Sequence, residues 1–219
     1  MFLPPAGDAP VKAPAKQPRA RPAPGGRFDA AYFTQFYGDP ATRVADSVDA
    51  ARLAGLVIGI SHYFGLRVTR ILDAGCGVGL LQEPLAAGFP KASYTGLEVS
   101  DFLCRRHGWV QGSVVDFAAK RPFDLVLCHD VLQYLDDADA ARAIGNLARL
   151  CRGILSFSVP TRRDWRTAAD PVRSDGDVRR RTGEWYRSRL RRHFRHLGCG
   201  VHVIRALQPV AWELEEPWR

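Results

Sequence analysis

Between Arg67 and Pro160 the chain alternates between two kinds of stretch, and that alternation narrows the folds open to it. Short β-rich runs (RVTRILDAG, ASYTGLEVS, WVQGSVVDF, FDLVLCHD and GILSFSVP) are interleaved with helix-patterned segments (VGLLQEPLAAG, DFLCRRHG and DADAARAIGNLARLC). Strands joined through helices run parallel, because the crossover returns the chain to the same end of the sheet. The expected architecture is α/β, a doubly wound, mostly parallel seven-stranded sheet with helices on its faces. Its C-terminal part departs from this alternation. TGEWYRSRLRRHFRHLG reads as one amphipathic helix, with Trp185, Tyr186, Leu190, Phe194 and Leu197 near helical spacing. Two β-rich runs follow, GVHVIRAL and PVAWELEE, with Gln208 and Pro209 at the junction. So short a connection excludes a crossover, so the sheet is expected to end in an antiparallel hairpin.

The rest of the chain divides by composition. Residues 1–26 hold seven prolines and no apolar run long enough for a signal peptide, so residues 1–27 are expected to be a disordered Pro/Ala-rich tail. Residues 28–66 read as an N-terminal helical lid segment, two helices split at Gly38-Asp39-Pro40. Residues 67–219 form the expected core, with a basic cover at about 161–196. The longest apolar or glycine run, Leu53 to Ile60, is too short for a bilayer, so no membrane partner is expected. Five scattered cysteines without a CxxC pair point to reduced thiols, a cytoplasmic location and no metal site.

The chemistry concentrates in ILDAGCGVGLLQEPL, where the first strand passes into the first crossover helix. In doubly wound sheets ligands bind at the carboxyl ends of the strands, and this turn carries the glycines. Gly75, Gly77 and Gly79 are spaced G-x-G-x-G, whereas the dinucleotide fingerprint would need glycine at Leu80. No Gly-Lys-Ser/Thr follows, which excludes the phosphate-cradling P-loop. A tight turn alone would also use glycine, so the loop needs a partner residue to carry meaning. Glu98 supplies it, ending the second strand nineteen residues past Gly79. Its two oxygens can accept both hydroxyls of a ribose; the plain alternative is a solvated strand-end acid.

These blocks, with YTGLEVS, GSVVDF and FDLVLCHDVLQYLDD in the same order and spacing, resemble the class I S-adenosylmethionine-dependent methyltransferases from about Phe33 onward. The resemblance implies a Rossmann-like methyltransferase fold with S-adenosylmethionine as cofactor. It places Gly75, Cys76, Gly77 and Gly79 under the methionyl part, with Asp73 organising the loop. It puts Glu98 on the ribose and Val99 against the adenine. The acid that often meets the adenine amino group is absent at its usual place, Ser113, which leaves that contact among Ser113, the Val114 backbone and Asp116.

Methyl transfer from a sulfonium has a neutral leaving group, so positioning and exclusion of water matter more than acid catalysis. A base helps where the nucleophile arrives protonated. His129, Asp130 and Tyr134 at the end of the fourth strand are the candidates, His129 also serving as a cofactor-pocket wall. Asp130 alternatively caps the helix begun at VLQYL. Tyr37 is expected on the lid over the ligand, and the aromatic residues Tyr32, Phe33 and Phe36 either belong to that lid or staple the segment to the sheet. Residues 161–196 hold twelve arginines against five acids, while residues 28–160 are slightly acidic. That excess in the cover suits an anionic or aromatic small molecule, with Trp165 stacking on it. RNA is the second acceptor class, solvated arginine surface the plain reading, and a cofactor-binding module without turnover a third.

Overall fold

The computed structural model describes residues 27–207. Strands β1 (Arg70–Ala74), β2 (Ser93–Glu98), β3 (Val110–Gln111), β4 (Phe123–His129) and β5 (Cys151–Ser158) precede β6 (Phe194–Gly198) and β7 (Val201–Ile204). The sheet order is β3-β2-β1-β4-β5-β7-β6, with β1 to β5 parallel and β7 antiparallel to both its neighbours. This is the doubly wound, mostly parallel seven-stranded sheet with a terminal antiparallel hairpin that the sequence leads one to expect.

Strand alternation sorts the core into two layers. Ile71, Leu125, Leu127 and Ile154 point to one face, against Ala54, Val57 and Leu85 of helices α2 (Ser47–Tyr63) and α3 (Gln82–Gly88). Leu72, Val126, Cys128 and Leu155 point to the other, against Leu147 of α5 (Asp137–Leu150) and Tyr186 and Leu190 of α7 (Gly183–Leu190). Strands apolar on both faces suit only the middle of a sheet covered twice, which is why β1 and β4 are central. Each buried side chain of this size contributes about 1.5–3 kcal/mol.

The N-terminal segment forms α1 (Ala30–Phe33), capped by Asp29, and runs into a wide turn at Thr34–Gly38. There Asp39 N–H donates to the Thr34 carbonyl five residues back (2.9 Å). Helix α4 (Asp101–His107) starts at Ser100, whose hydroxyl accepts the Leu103 amide and donates to the Phe28 carbonyl at 2.5 Å. A short α6 (Arg162–Thr167), closed by a reciprocal Thr161–Asp164 capping box, begins the cover.

Two sequence expectations shift. HFRHLG is not the end of a helix: α7 stops at Leu190 and Phe194–Gly198 forms β6. Gly198, Cys199 and Gly200 have φ of 116°, 48° and 75°, a reversal that closes the hairpin onto β7 and that a helix cannot contain. The hairpin therefore lies one element upstream of the expected pair. The strand expected at PVAWELEE, and the expected tail apart from Arg27, lie outside the described residues.

Arg181 fixes the cover to the sheet. Its guanidinium is buried, pairs with Asp137 (2.8 Å) and donates to the carbonyls of Leu132 (2.9 Å) and Leu135 (2.6 Å) and to the Tyr186 hydroxyl (3.1 Å). Arg181→Met removes the donor from two enclosed carbonyls, at about 1–3 kcal/mol each. Asp137→Asn touches an exposed partner and should cost less than about 1 kcal/mol. Urea denaturation of the two variants checks the contrast; equal losses would make the ion pair, not the carbonyl bonds, the anchor.

Candidate active site

A cavity of about 520 Å3 opens at the carboxyl ends of β1, β2 and β4. Its floor is the glycine loop after β1. Gly75 and Gly79 both have φ of 80°, and a methyl group at Gly75 would collide with Val131. At Gly79 a Cβ would stand 2.6 Å from the Trp109 ring. The loop is therefore pressed flat between the turn that follows β4 and Trp109, whose indole donates to the Gly77 carbonyl (3.0 Å). Trp109 was not singled out from the sequence; a large aromatic ring directly before a strand, beside Gly96 in the neighbouring strand, was the signal.

Glu98 is buried at the end of β2. Its Oε1 accepts the amides of Val99 (2.8 Å) and Ser100 (3.0 Å), and its Oε2 accepts the Gly77 amide (2.9 Å). Each carboxylate oxygen takes about two hydrogen bonds, so Oε1 is filled and Oε2 keeps one site toward the cavity. The sequence reading had both oxygens on a ribose; here one is committed to the backbone. Glu98 thus shapes the loop as well as facing the cavity.

Asp73 lies behind the loop rather than in the cavity lining, where it accepts the Tyr94 hydroxyl at 2.6 Å. Burial, with Glu98 nearby, raises its carboxyl to about 6 despite that bond. Cys76 and Gly79 also sit beneath the lining. Gly75, Gly77, Glu98, Val99, Ser113 and Val114 border the cavity. Ser113 Oγ accepts the Val115 amide (3.2 Å), and the Val114 carbonyl accepts Asn146 Nδ2 (2.9 Å). Of the three alternatives for the adenine contact, Asp116 is exposed and lies outside the lining.

At the end of β4 the three base candidates separate. His129 borders the cavity with Nδ1 2.8 Å from Ser158 Oγ and Nε2 3.0 Å from Ser156 Oγ. Burial lowers its pKa to about 4, and the two hydroxyls leave neither ring nitrogen free for a substrate proton. Tyr134 is a cavity wall, not a core aromatic. Its hydroxyl is 2.9 Å from that of Tyr32, and burial pushes it up to about 12. Asp130 does not cap the following 3-10 turn at Leu132–Tyr134, which has no side-chain cap. Its backbone is left-handed (φ 55°), its amide donates to the Ser158 carbonyl (3.0 Å), and its exposed side chain borders the cavity. The carboxylate has no hydrogen-bond or ionic partner among the described residues, and although the residue is exposed at the cavity mouth, desolvation by the groups packed around the carboxyl raises its pKa.

The N-terminal segment shuts one side of the cavity and uses its two faces differently. Phe36 is buried away from the cavity, Phe33 is buried between Phe102 and the cavity wall, and Tyr32 and Tyr37 border the cavity. The Tyr37 hydroxyl has no partner among the described residues and stands over Gly77, with burial and the surrounding acids raising its pKa. Arg27 ties the segment to the cover through Asp175 (2.5 Å) and Asp177 (3.1 Å).

The cover's charge runs opposite to expectation. Arg181 is buried in the anchor, Arg189 lies 3.8 Å from the centre of the Trp185 ring, and Arg180 lies 4.4 Å from that of Trp165. Among the described residues the cavity lining holds Glu98, Asp130, Asp164, Asp170 and Asp175 but only Arg173 as a cation. The basic excess faces outward; the cavity is acidic. No group of three or more His, Cys, Asp or Glu among the described residues is placed to hold a metal ion. No helix among them is long and apolar enough to cross a membrane.

Two expected outcomes follow from this geometry. Glu98→Ala should weaken cofactor binding roughly ten-fold to over a hundred-fold and also lower the melting temperature of the ligand-free protein, because Gly77, Val99 and Ser100 lose their acceptor. An unchanged melting temperature in differential scanning calorimetry would reduce Glu98 to a ligand contact alone. Asp73, with its folded pKa raised from 3.8 to about 6, contributes stability below about pH 4 that is lost as pH rises through 6. Asp73→Asn should therefore gain on the wild type across pH 4 to 6, by up to about 3 kcal/mol before the weakened Tyr94 bond is deducted. Thermal melts of both proteins at each pH read it; a pH-independent difference would return Asp73 to ordinary titration.

Comparison with known proteins agrees with this architecture. Residues 72–153 match the family model described as Methyltransferase domain. The ubiquinone biosynthesis O-methyltransferase of Bordetella parapertussis is 34% identical over 94 residues, 36% of this chain and 38% of that protein. The trans-aconitate 2-methyltransferase of Pseudomonas aeruginosa is 30% identical over 158 residues, 67% of this chain and 56% of that protein. The chain spans less than half the length of the ubiquinone-pathway relatives it matches. Among solved structures, an S-adenosylmethionine-dependent methyltransferase from Clostridium acetobutylicum superposes with a TM-score of 0.58 at 15% identity, covering 81% of this chain and 97% of the other.

Proposed function

We propose that this chain, which shares the fold of a solved S-adenosylmethionine-dependent methyltransferase and matches a methyltransferase-domain model over residues 72–153, is a class I methyltransferase that transfers a methyl group from S-adenosylmethionine to a small-molecule acceptor. The observation that carries the reading is the flattened glycine loop joined to Glu98: bare backbone at Gly75 and Gly77, with one carboxylate oxygen site left open beside it. Such a floor fits a ligand with a ribose and an adenine but no phosphates, since no lysine or phosphate-cradling glycine spacing is present.

When bound, S-adenosylmethionine supplies an electrophilic methyl group on sulfur. Gly75 and Gly77 give its methionyl part close access to backbone, Glu98 Oε2 accepts a ribose hydroxyl, and Val99, Ser113 and Val114 border the adenine. Tyr37 and Tyr32 close the N-terminal segment over the ligand, and Trp165 with the cover closes the far side. These residues hold the acceptor in line and keep water out, which is where most of the rate in such a reaction arises. The acidic lining favours a neutral or cationic acceptor over an anionic one.

Isothermal titration calorimetry tests the reading directly. S-adenosylmethionine and its demethylated product, S-adenosylhomocysteine, should bind, with no comparable signal from NAD or ATP. Binding of NAD without either of the first two would overturn the assignment.

A further inference from the structure

Among the described residues two buried side-chain polar atoms have no hydrogen-bond partner, Gln133 Oε1 and Trp165 Nε1, and both residues line the same cavity. An enclosed polar atom without a partner costs about 1–3 kcal/mol, so two in one cavity mark groups set to meet a ligand. Neither belongs to the cofactor floor. Gln133 sits on the turn after β4 and Trp165 on α6 of the cover, with the aromatic walls Tyr32 and Tyr134 between the lid and that turn. Two further lining groups have no partner among the described residues, the Tyr37 hydroxyl over the glycine floor and the Asp130 carboxylate, the latter three residues before Gln133 on the same turn. Val131, directly after Asp130, packs on Gly75, which places this turn against the part of the floor where the methyl donor would react.

We propose that Asp130, Gln133 and Trp165 select the acceptor, and that it is a hydroxyl-bearing amine. This rests on the methyltransferase reading above and adds the acceptor's chemical class. An ammonium group suits Asp130: it is the lining carboxylate without a partner, in a cavity whose other acids leave it without a competing cation nearby except Arg173, which faces Asp170 at 3.9 Å. A hydroxyl suits the other pair, donating to Gln133 Oε1 while accepting from Trp165 Nε1. An amine arrives protonated at neutral pH and has no lone pair to offer. One N–H proton passes to the Asp130 carboxylate, the electron pair of that bond stays on nitrogen as the nucleophile, and the carboxylic acid returns its proton to solvent when the cavity opens. His129 does not compete for this proton, because both its nitrogens are held by Ser156 and Ser158.

Binding to the protein saturated with S-adenosylhomocysteine tests the proposal without requiring turnover. The probes are 3-hydroxybenzylamine, benzylamine and 3-hydroxybenzoate, measured by calorimetry and thermal shift. Affinity should fall in that order, with the amine at least about ten-fold tighter than the carboxylate. Asp130→Asn should abolish the preference for amine over carboxylate and leave S-adenosylhomocysteine affinity unchanged. Gln133→Met should bring 3-hydroxybenzylamine down to the level of benzylamine. Circular dichroism and S-adenosylhomocysteine affinity report whether each variant is folded. The proposal is overturned if the amines do not bind or bind no tighter than the carboxylate. It is also overturned if Asp130→Asn weakens S-adenosylhomocysteine itself, because Asp130 then holds the cofactor. Failure of the wild-type protein to bind S-adenosylhomocysteine would instead overturn the methyltransferase reading.

Discussion

One carboxylate holds the floor of the site together. Glu98 receives the amides of Val99 and Ser100 on its own turn and that of Gly77 across the neighbouring strand. The first two aim the start of α4, and the third fixes the glycine loop over the end of β1. Because those amides are partly enclosed, the acid satisfies donors that would otherwise be costly to bury. The loop is then clamped from both sides, by Val131 against Gly75 and by the Trp109 ring against Gly79. A side chain at either glycine would lift the loop and displace two elements at once. The same acid that borders the cavity is part of what shapes its floor.

The second organising contrast is electrostatic. The cover segment is among the most basic parts of the chain, yet the cavity beneath it is lined mainly by acids. Several of its arginines are engaged in structure. Arg181 donates to the Leu135 carbonyl and joins the Leu135 amide on that of Leu132, while Arg189 and Arg180 lie on indole rings; from the N-terminal segment, Arg27 crosses to Asp175 and Asp177. Arginine suits this work because its planar fork can serve several carbonyls and a ring face together. The N-terminal segment and the cover are therefore not independent of each other. Through Arg27 and the Tyr32–Tyr134 contact, they meet each other and the turn after β4 around one cavity.

Much of the architecture was legible in the amino-acid sequence. The doubly apolar runs ILDA and DLVLC can be buried only between two layers, and the glycines at 75, 77 and 79 permit only a bare turn. Asp46, Ser100, Thr161 and Thr182 cap the helices that follow them, a local signal that the sequence reading did not use. The C-terminal helix was read too long because Phe194 and Leu197 fit a helical repeat; alternation and the Gly198-Cys199-Gly200 reversal were the competing signals, and pairing with β7 decided between them.

Local rules thus determined the alternation of elements, the glycine floor and the presence of an acid at Glu98, because each depends on interactions within a short stretch of chain. Tertiary structure decided the rest. Whether Arg181 is surface or anchor depends on Leu132 and Leu135, some fifty residues away in sequence. Whether His129 is a base depends on two serines of β5, and whether Asp116 borders the cavity is settled only in the folded chain. Charge and hydrogen-bonding capacity are written in residue identity, but their use is fixed by which groups are brought within about 3 Å of one another, and only the folded sheet sets that distance.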